Sequence, residues 1–230
     1  MPLILRKRAV HLTEQMDQPG CDADLLANTY RQFRQINPVI SRWHFIYKRY
    51  LLPCFEAGKP HTLLDIGFGG ADILLRLSGW AKSDGIDLHI TGIDIDERAV
   101  RYAQSLPRDP KIKYKLTSLR SLAEENETYD LVISNHLLHH LDEAGLPAML
   151  KLTSSLAGRR VVFNDIERAD LAYLGFHLLT GPLLRNSFAR PDGLRSIRRS
   201  YTKSELVDAV PAGWQVHRIF PYRLLLLHDL

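Results

Sequence analysis

From His61 onwards, short apolar runs alternate with amphipathic ones. HTLLDIG (61–67), DLHITGID (87–94), KIKYKLTS (111–118), YDLVISN (129–135) and RRVVFND (159–165) read as strands. ADILLRLSGWAK (71–82), DERAVRYAQSL (96–106), a stretch from about Asp142 to Leu156, and KSELVDAV (203–210) read as helices, with a further long helical stretch from Arg168. Such alternation implies a mainly parallel, doubly wound sheet with right-handed crossovers. The chain ends in WQVHRIF, Pro221–Tyr222 and RLLLLHD, which reads as a hairpin and adds one antiparallel strand. There is no internal repeat and no low-complexity tract.

The first sixty residues have another rhythm. Leu26, Tyr30 and Phe33 stand at i, i+4, i+7, one face of a helix. Asn37–Pro38 predicts the start of a second helix, with Asn as N-cap and Pro in the first turn. Val39, Trp43, Ile46 and Tyr50 follow at helical spacing, Pro53 ends the helix, and EAGKP (56–60) is a linker. Two parts follow: an N-terminal helical cap over 1–59 and an α/β domain over 60–230. A chain of 230 residues suits one such domain with an appendage. With 45% hydrophobic and 24% charged residues, disorder, collagen and coiled coil are excluded as overall descriptions. Cys21 and Cys54 match no zinc spacing and make no disulfide framework, so a cytoplasmic location is expected. The run LAYLGFHLLTGPLL (171–184) is shorter than the roughly 20 apolar residues that a transmembrane span needs, and the start lacks a secretory segment.

LLDIGFGGAD (63–72) lies between a strand and a helix. Glycines there let the chain turn tightly and let a ligand approach the backbone at a helix N-terminus. Gly67 and Gly69 fit the start of a dinucleotide fingerprint, but Asp72 stands at its third glycine and would face a pyrophosphate. Asp65 adds a second carboxylate at the strand end. The ligand expected is therefore one with positive charge rather than a phosphate, and hydride transfer is disfavoured. The second strand ends in TGIDID (91–96). Asp94 can accept two ribose hydroxyls, whereas Asp96 is explained as a helix cap.

DIGFGG, GIDID and YDLVISNHLLHHL, in that order, resemble the class I S-adenosylmethionine-dependent methyltransferases, in the small-molecule O-/C-methyltransferase-like group. The resemblance covers residues 60 to 165 and the terminal hairpin. It implies a Rossmann-like, seven-stranded mixed sheet of order 3-2-1-4-5-7-6 and S-adenosylmethionine as cofactor. It places Asp65, Gly67, Phe68 and Gly69 at the methionine part, Asp94 and Ile95 at the ribose, and Asn135 beside the methyl group. Ser118 and Leu119 fall where relatives carry an acid near the adenine amine, and Ser118 stands in for that acid.

NHLLHHL (135–141) holds three of the ten histidines, and NDIER (164–168) closes the next strand. Neighbouring strand ends lie about 5 Å apart, so His139 or His140 could meet Asp165 above the sheet. A hydroxyl acceptor must lose a proton, and a histidine oriented by a carboxylate is a suitable base. His136 reads as structural. No metal is expected, because HxxHH lacks the glutamate of a zincin motif.

The segment 167–203 is too long for a simple connection and reads as a lid-like insert. Its first half is apolar. RNSFARPDGLRSIRRSYTK (185–203) carries six Lys or Arg against one Asp, net +5, which leaves about −1 for the rest of a chain of net +4. Gly181–Pro182 and Pro191-Asp-Gly193 read as breaks. The insert is expected to form an acceptor cavity with the N-terminal helix of Trp43 and Tyr47, Phe176 lining it and at least one arginine among 190, 195, 198 and 199 facing it. The leading reading is methyl transfer to a small aromatic, phenolic or polyketide-like acceptor on oxygen. C-methylation of a quinone-type precursor is the alternative. An RNA methyltransferase and a non-catalytic cofactor-binding protein are further readings, but no nucleic acid is expected as partner. Surface association with a membrane and the oligomeric state stay open.

Overall fold

The computed structural model describes residues 2–230. Seven strands, β1 (Pro60–Ile66), β2 (Asp87–Asp94), β3 (Ile112–Leu116), β4 (Tyr129–Asn135), β5 (Ala157–Ile166), β6 (Trp214–Ile219) and β7 (Arg223–Asp229), form one sheet in the order β3-β2-β1-β4-β5-β7-β6. All neighbours are parallel except β7, which runs antiparallel to β5 and β6. The helices are α1 (Ala23–Ile40), α2 (Trp43–Ile46), α3 (Asp72–Ser83), α4 (Glu97–Gln104), α5 (Leu119–Glu124), α6 (Gly145–Leu156), α7 (Asp170–Thr180), α8 (Ala189–Arg199) and α9 (Lys203–Ala209). This is the sheet that the alternating pattern and the resemblance predict.

Successive strand residues face opposite layers. Leu63, Leu131, Leu225 and Leu227 pack with α1 to α4, whereas Leu64, Val132, Leu224 and Leu226 pack with α5, α6 and α9. The helix starts follow from their caps. Asp22 accepts the N–H groups of Asp24 and Leu25, Asp96 caps α4, Ser118 caps α5, and Thr202 with Glu205 forms a capping box on α9.

Asn37–Pro38 does not start a helix. α1 continues through it, and the chain turns at Arg42, which has φ 57°. Proline removes the N–H that would pair with the Arg34 carbonyl. The Arg76 guanidinium supplies the missing donor, with Nη2 2.8 Å from Arg34 O. The Asn37 side chain is buried and donates to Asp72 Oδ2 at 3.0 Å instead of capping. Trp43 and Tyr47 also depart from expectation. Both are buried against α3, where the Tyr47 hydroxyl donates to Asp84 Oδ2 at 2.8 Å, so they belong to the core and not to an acceptor cavity. Pro191 and Gly193 do not break the chain either. They lie within α8, where Pro191 falls in the first turn and forfeits no helical hydrogen bond.

Residues 2–22 are not helical. They form a strap tied down along its length. Asp170 accepts the N–H groups of Leu3, Ile4 and Leu5, and the buried Arg168 donates to the carbonyls of Leu5 and Arg6. Ala9 N–H bonds Arg198 O, and Asp192 accepts the N–H groups of Gln15 and Met16. Arg98, gripped by Asp96, donates to the carbonyls of Met16 and Gln18.

Candidate active site

The glycine turn leaves β1 at its carboxyl end. Gly67 and Gly69 have φ of 71° and 52°, which only glycine adopts without strain. Asp65 is buried and its Oδ1 has no hydrogen-bond partner. Burial, reinforced by Asp72 and Asp94, pushes its carboxyl well above the usual range. Asp72 opens α3 and turns its carboxylate to Asn37, so the sequence argument that it would face a ligand does not describe its position. The Phe68 ring is in the core, against Gly92 and 5.3 Å from the Tyr114 ring, which leaves its backbone to the turn.

Asp94 ends β2. It accepts the N–H of Gly69 and that of Asp96, both at 2.9 Å, and so locks the two turns together. Beside it the Ile95 side chain is 80% exposed, an apolar face awaiting a partner. Ser118 spends its hydroxyl on the cap of α5, accepting Ser121 N–H at 3.1 Å, and Leu119 packs half-buried behind it. Asn135 ends β4. Its Oδ1 accepts from Arg223 Nη2 at 3.2 Å and Asn164 Nδ2 at 3.3 Å. These residues fit S-adenosylmethionine. An orphaned buried carboxylate oxygen suits a cationic amino group, Asp94 suits a diol, and Ile95 suits a flat base.

The histidines sit one step further along. Leu138–His140 is a single 3₁₀ turn after β4, and Leu137 touches the site where a Gly67 Cβ would lie. His139 is brought onto Asp165 as expected: Nδ1 lies 2.8 Å from Oδ1, and the backbone N–H bonds Oδ2 at 2.9 Å. Its Nε2 is taken by Glu14 Oε1 of the strap at 3.1 Å. Burial opposes charge on this ring, but Asp165 and Glu14 outweigh it and raise its pKa to about 9. Both acids resist protonation in turn. Against the effect of burial, His139 holds Asp165 below the carboxylate range and Glu14 at about 2. His140 is less buried, with Nε2 3.7 Å from Glu14 and Nδ1 3.5 Å from Asp17. Burial and the neighbouring His139 charge lower its pKa to about 4. His136 accepts from Arg223, and burial and that guanidinium hold its pKa well below the usual imidazole value.

Glu14, Arg199 and Arg223 complete the cluster; Arg199 is one of the four insert arginines expected on the acceptor side, whereas sequence reasoning did not single out Glu14 or Arg223. Arg199 is buried, with Nη1 4.0 Å from Glu14 Oε1, and its Nε and Nη1 lack hydrogen-bond partners. Of the two that were missed, only Arg223 left a signal, a cation opening an otherwise apolar strand. The expectation of no metal rested on a missing carboxylate, and the fold supplies one: donor atoms of Glu14, His139 and His140 lie within 4.8 Å of one another. A proton on His139 already balances the two acids, and Arg199 stands where a dication would be repelled.

Residues 63–158 match the family model described as a methyltransferase domain. A search of curated proteins returns no match. Among solved structures, the plantazolicin methyltransferase BpumL bound to SAH and a pentazolic desmethylPZN analogue is 15% identical, with TM-score 0.55, over 86% of this chain and 83% of that one. Human N-acetylserotonin methyltransferase with SAM is 14% identical, with TM-score 0.61, over 90% of this chain and 56% of the human one. Magnesium protoporphyrin IX methyltransferase (ChlM) from Synechocystis PCC 6803 with SAH is 19% identical, with TM-score 0.50, over 94% and 90%. The fold, the glycine turn and its acidic partners form an α/β site suited to a nucleoside. The family match gives residues 63–158 a methyltransferase domain, set in the seven-stranded sheet order that the resemblance to class I S-adenosylmethionine-dependent methyltransferases implies.

Proposed function

We propose that this enzyme methylates a small aromatic, phenolic or polyketide-like acceptor on oxygen, with the His139–Asp165 pair taking the hydroxyl proton. The observation that carries this reading is the Glu14 carboxylate on Nε2 of His139. It occupies the place an acceptor hydroxyl would take. The bound cofactor supplies a sulfonium-activated methyl group. When Glu14 yields to the acceptor, His139 loses one of the two acids that keep it charged. Its Nε2 proton is then free to leave to solvent, and the ring presents a neutral Nε2 while Asp165 holds the Nδ1 proton. Nε2 would take the proton that the acceptor hydroxyl gives up when its oxygen receives the methyl group the cofactor would supply. The free N–H groups of Arg199 can hold the oxygen as it gains charge.

The N-acetylserotonin and magnesium protoporphyrin IX methyltransferases are named for small-molecule acceptors, which supports the same class here. The basic insert does not favour RNA. Arg195 pairs with Asp192, Arg190 bonds the His177 carbonyl, and Arg199 is buried. Arg199 also favours a second reading: an acceptor already ionised needs no base and can be methylated on carbon.

The test uses labelled S-adenosylmethionine with a panel of phenols and hydroxyquinones. His139→Ala and Asp165→Asn should each lower turnover about 10²- to 10⁴-fold with cofactor affinity kept. Chelator should leave the wild-type rate unchanged, and His140→Ala should be the mildest of the three variants. Full turnover in all three at neutral pH, with a C–CH₃ product by NMR, would replace the base mechanism by carbon methylation.

A further inference from the structure

Helix α7 buries none of its residues. Leu171, Leu174 and Leu178 stand at i, i+3, i+7 on its outer face, with Leu179 and Leu183 alongside. The opposite side carries Phe176, packed against Gly193 of α8. The strap enlarges this face. Asp170, the first residue of α7, holds the backbone of Leu3 and Ile4, so their side chains join the same end of the molecule. These seven aliphatic side chains are between 51% and 83% exposed. Isolated exposed leucines are ordinary, but a contiguous patch of this kind marks an interaction surface.

Cations rim the patch at both ends. Arg6 and Lys7 follow the Leu3–Ile4 hook, and Arg185 follows Leu183. All three are exposed, and none has a salt-bridge partner among the described residues. The acids nearby are committed: Asp170 to three strap N–H groups, Asp192 to two more and to Arg195. An apolar helical face with an unanswered basic rim matches the chemistry of an anionic bilayer surface. It does not match a second copy of this chain. Two α7 faces paired about a twofold axis would set Arg6 and Lys7 of one against Arg185 of the other, with no acid between them. No helix among the described residues is long and apolar enough to cross a membrane, so the contact is one of lying on the surface.

We propose that α7 and the Leu3–Ile4 hook form an interfacial docking surface for membranes containing anionic phospholipid. α8, directly behind α7, carries the Ser196 and Arg199 that face Glu14. Docking therefore sets the acceptor side of the site next to the lipid, whichever acceptor atom is methylated.

The test is flotation of the full chain with vesicles of phosphatidylcholine alone and of phosphatidylcholine with phosphatidylglycerol. The expected result is flotation with the anionic vesicles, weakened at high salt and at least about tenfold weaker with the neutral ones. Leu174→Glu with Leu178→Glu should abolish it. Arg6→Gln, Lys7→Gln and Arg185→Gln together should reduce it to the neutral-vesicle level. Retained cofactor binding shows that both variants are folded, since every substituted side chain is exposed. Three results overturn the proposal: no flotation with either vesicle, flotation unchanged in the leucine variant, or a wild-type dimer that the leucine variant splits while vesicles are ignored.

Discussion

His139 carries charge where burial alone would remove it, because two carboxylates face its two nitrogens. Sequence reasoning could find one of them. Asp165 follows from the adjacency of β4 and β5, just as Asp94 and Asp96 could be told apart because only the residue before a helix can cap it. Glu14 could not be found. It lies 125 residues from His139, in a stretch without periodicity, and only the path of the strap brings it there. The cluster has a pH signature. A pKa raised to about 9 in the fold gives stability that is fully present below the unfolded value, about 6.5, and is lost as pH rises through 9. The Glu14 carboxyl, depressed to about 2, gives stability present above about 4.3 and lost as pH falls towards 2. Wild type should therefore lose on the order of 1–3 kcal/mol more than His139→Gln between pH 6.5 and 9. Glu14→Gln should fall between them. Urea midpoints at pH 5.5, 7.5 and 9 decide it: parallel curves for wild type and His139→Gln would mean the ring is neutral in the fold.

At the scale of elements, the strands were legible because each is an apolar run closed by a turn signal, and because β7 sends Leu224 and Leu226 to one layer and Leu225 and Leu227 to the other. The errors came where a local signal was overruled from a distance. Asn37–Pro38 has the residue types of a helix start, yet α1 runs through it, because Arg76 of α3 satisfies the carbonyl that Pro38 abandons. That compensation can be measured. Arg76→Met should destabilise the Pro38 chain by about 0.5–1.5 kcal/mol, the net worth of one such bond. In a Pro38→Ala background the new N–H of residue 38 can reach the Arg34 carbonyl, and Arg76→Met should matter much less. Equal effects of Arg76→Met in the two backgrounds, by chemical denaturation, would show that Arg76 does not act through that carbonyl.

Across the whole molecule, the glycine turn and the His139 cluster are held by different parts of the chain. Gly67, Gly69 and Asp94 are held by the sheet, by α3 and by one another. The His139 cluster is closed from outside by the strap, which α8, Arg98 and Arg168 fasten. A methyl-transfer site must exclude water and still admit its acceptor, and a cover fixed by hydrogen bonds rather than by a packed helix meets both needs. A chain lacking residues 1–20 keeps Asp22, the cap of α1, and keeps α1 over the glycine turn. It should therefore bind SAH with an affinity within about threefold of wild type, because no contact of the turn is removed. Acceptor turnover should fall by at least about tenfold, because water then reaches Nε2 of His139 and Arg199 loses its wall. Calorimetry with SAH and a labelled-methyl assay on the shortened chain measure the two effects separately. A parallel loss of both would show that the strap supports the cofactor cleft and not the acceptor side alone.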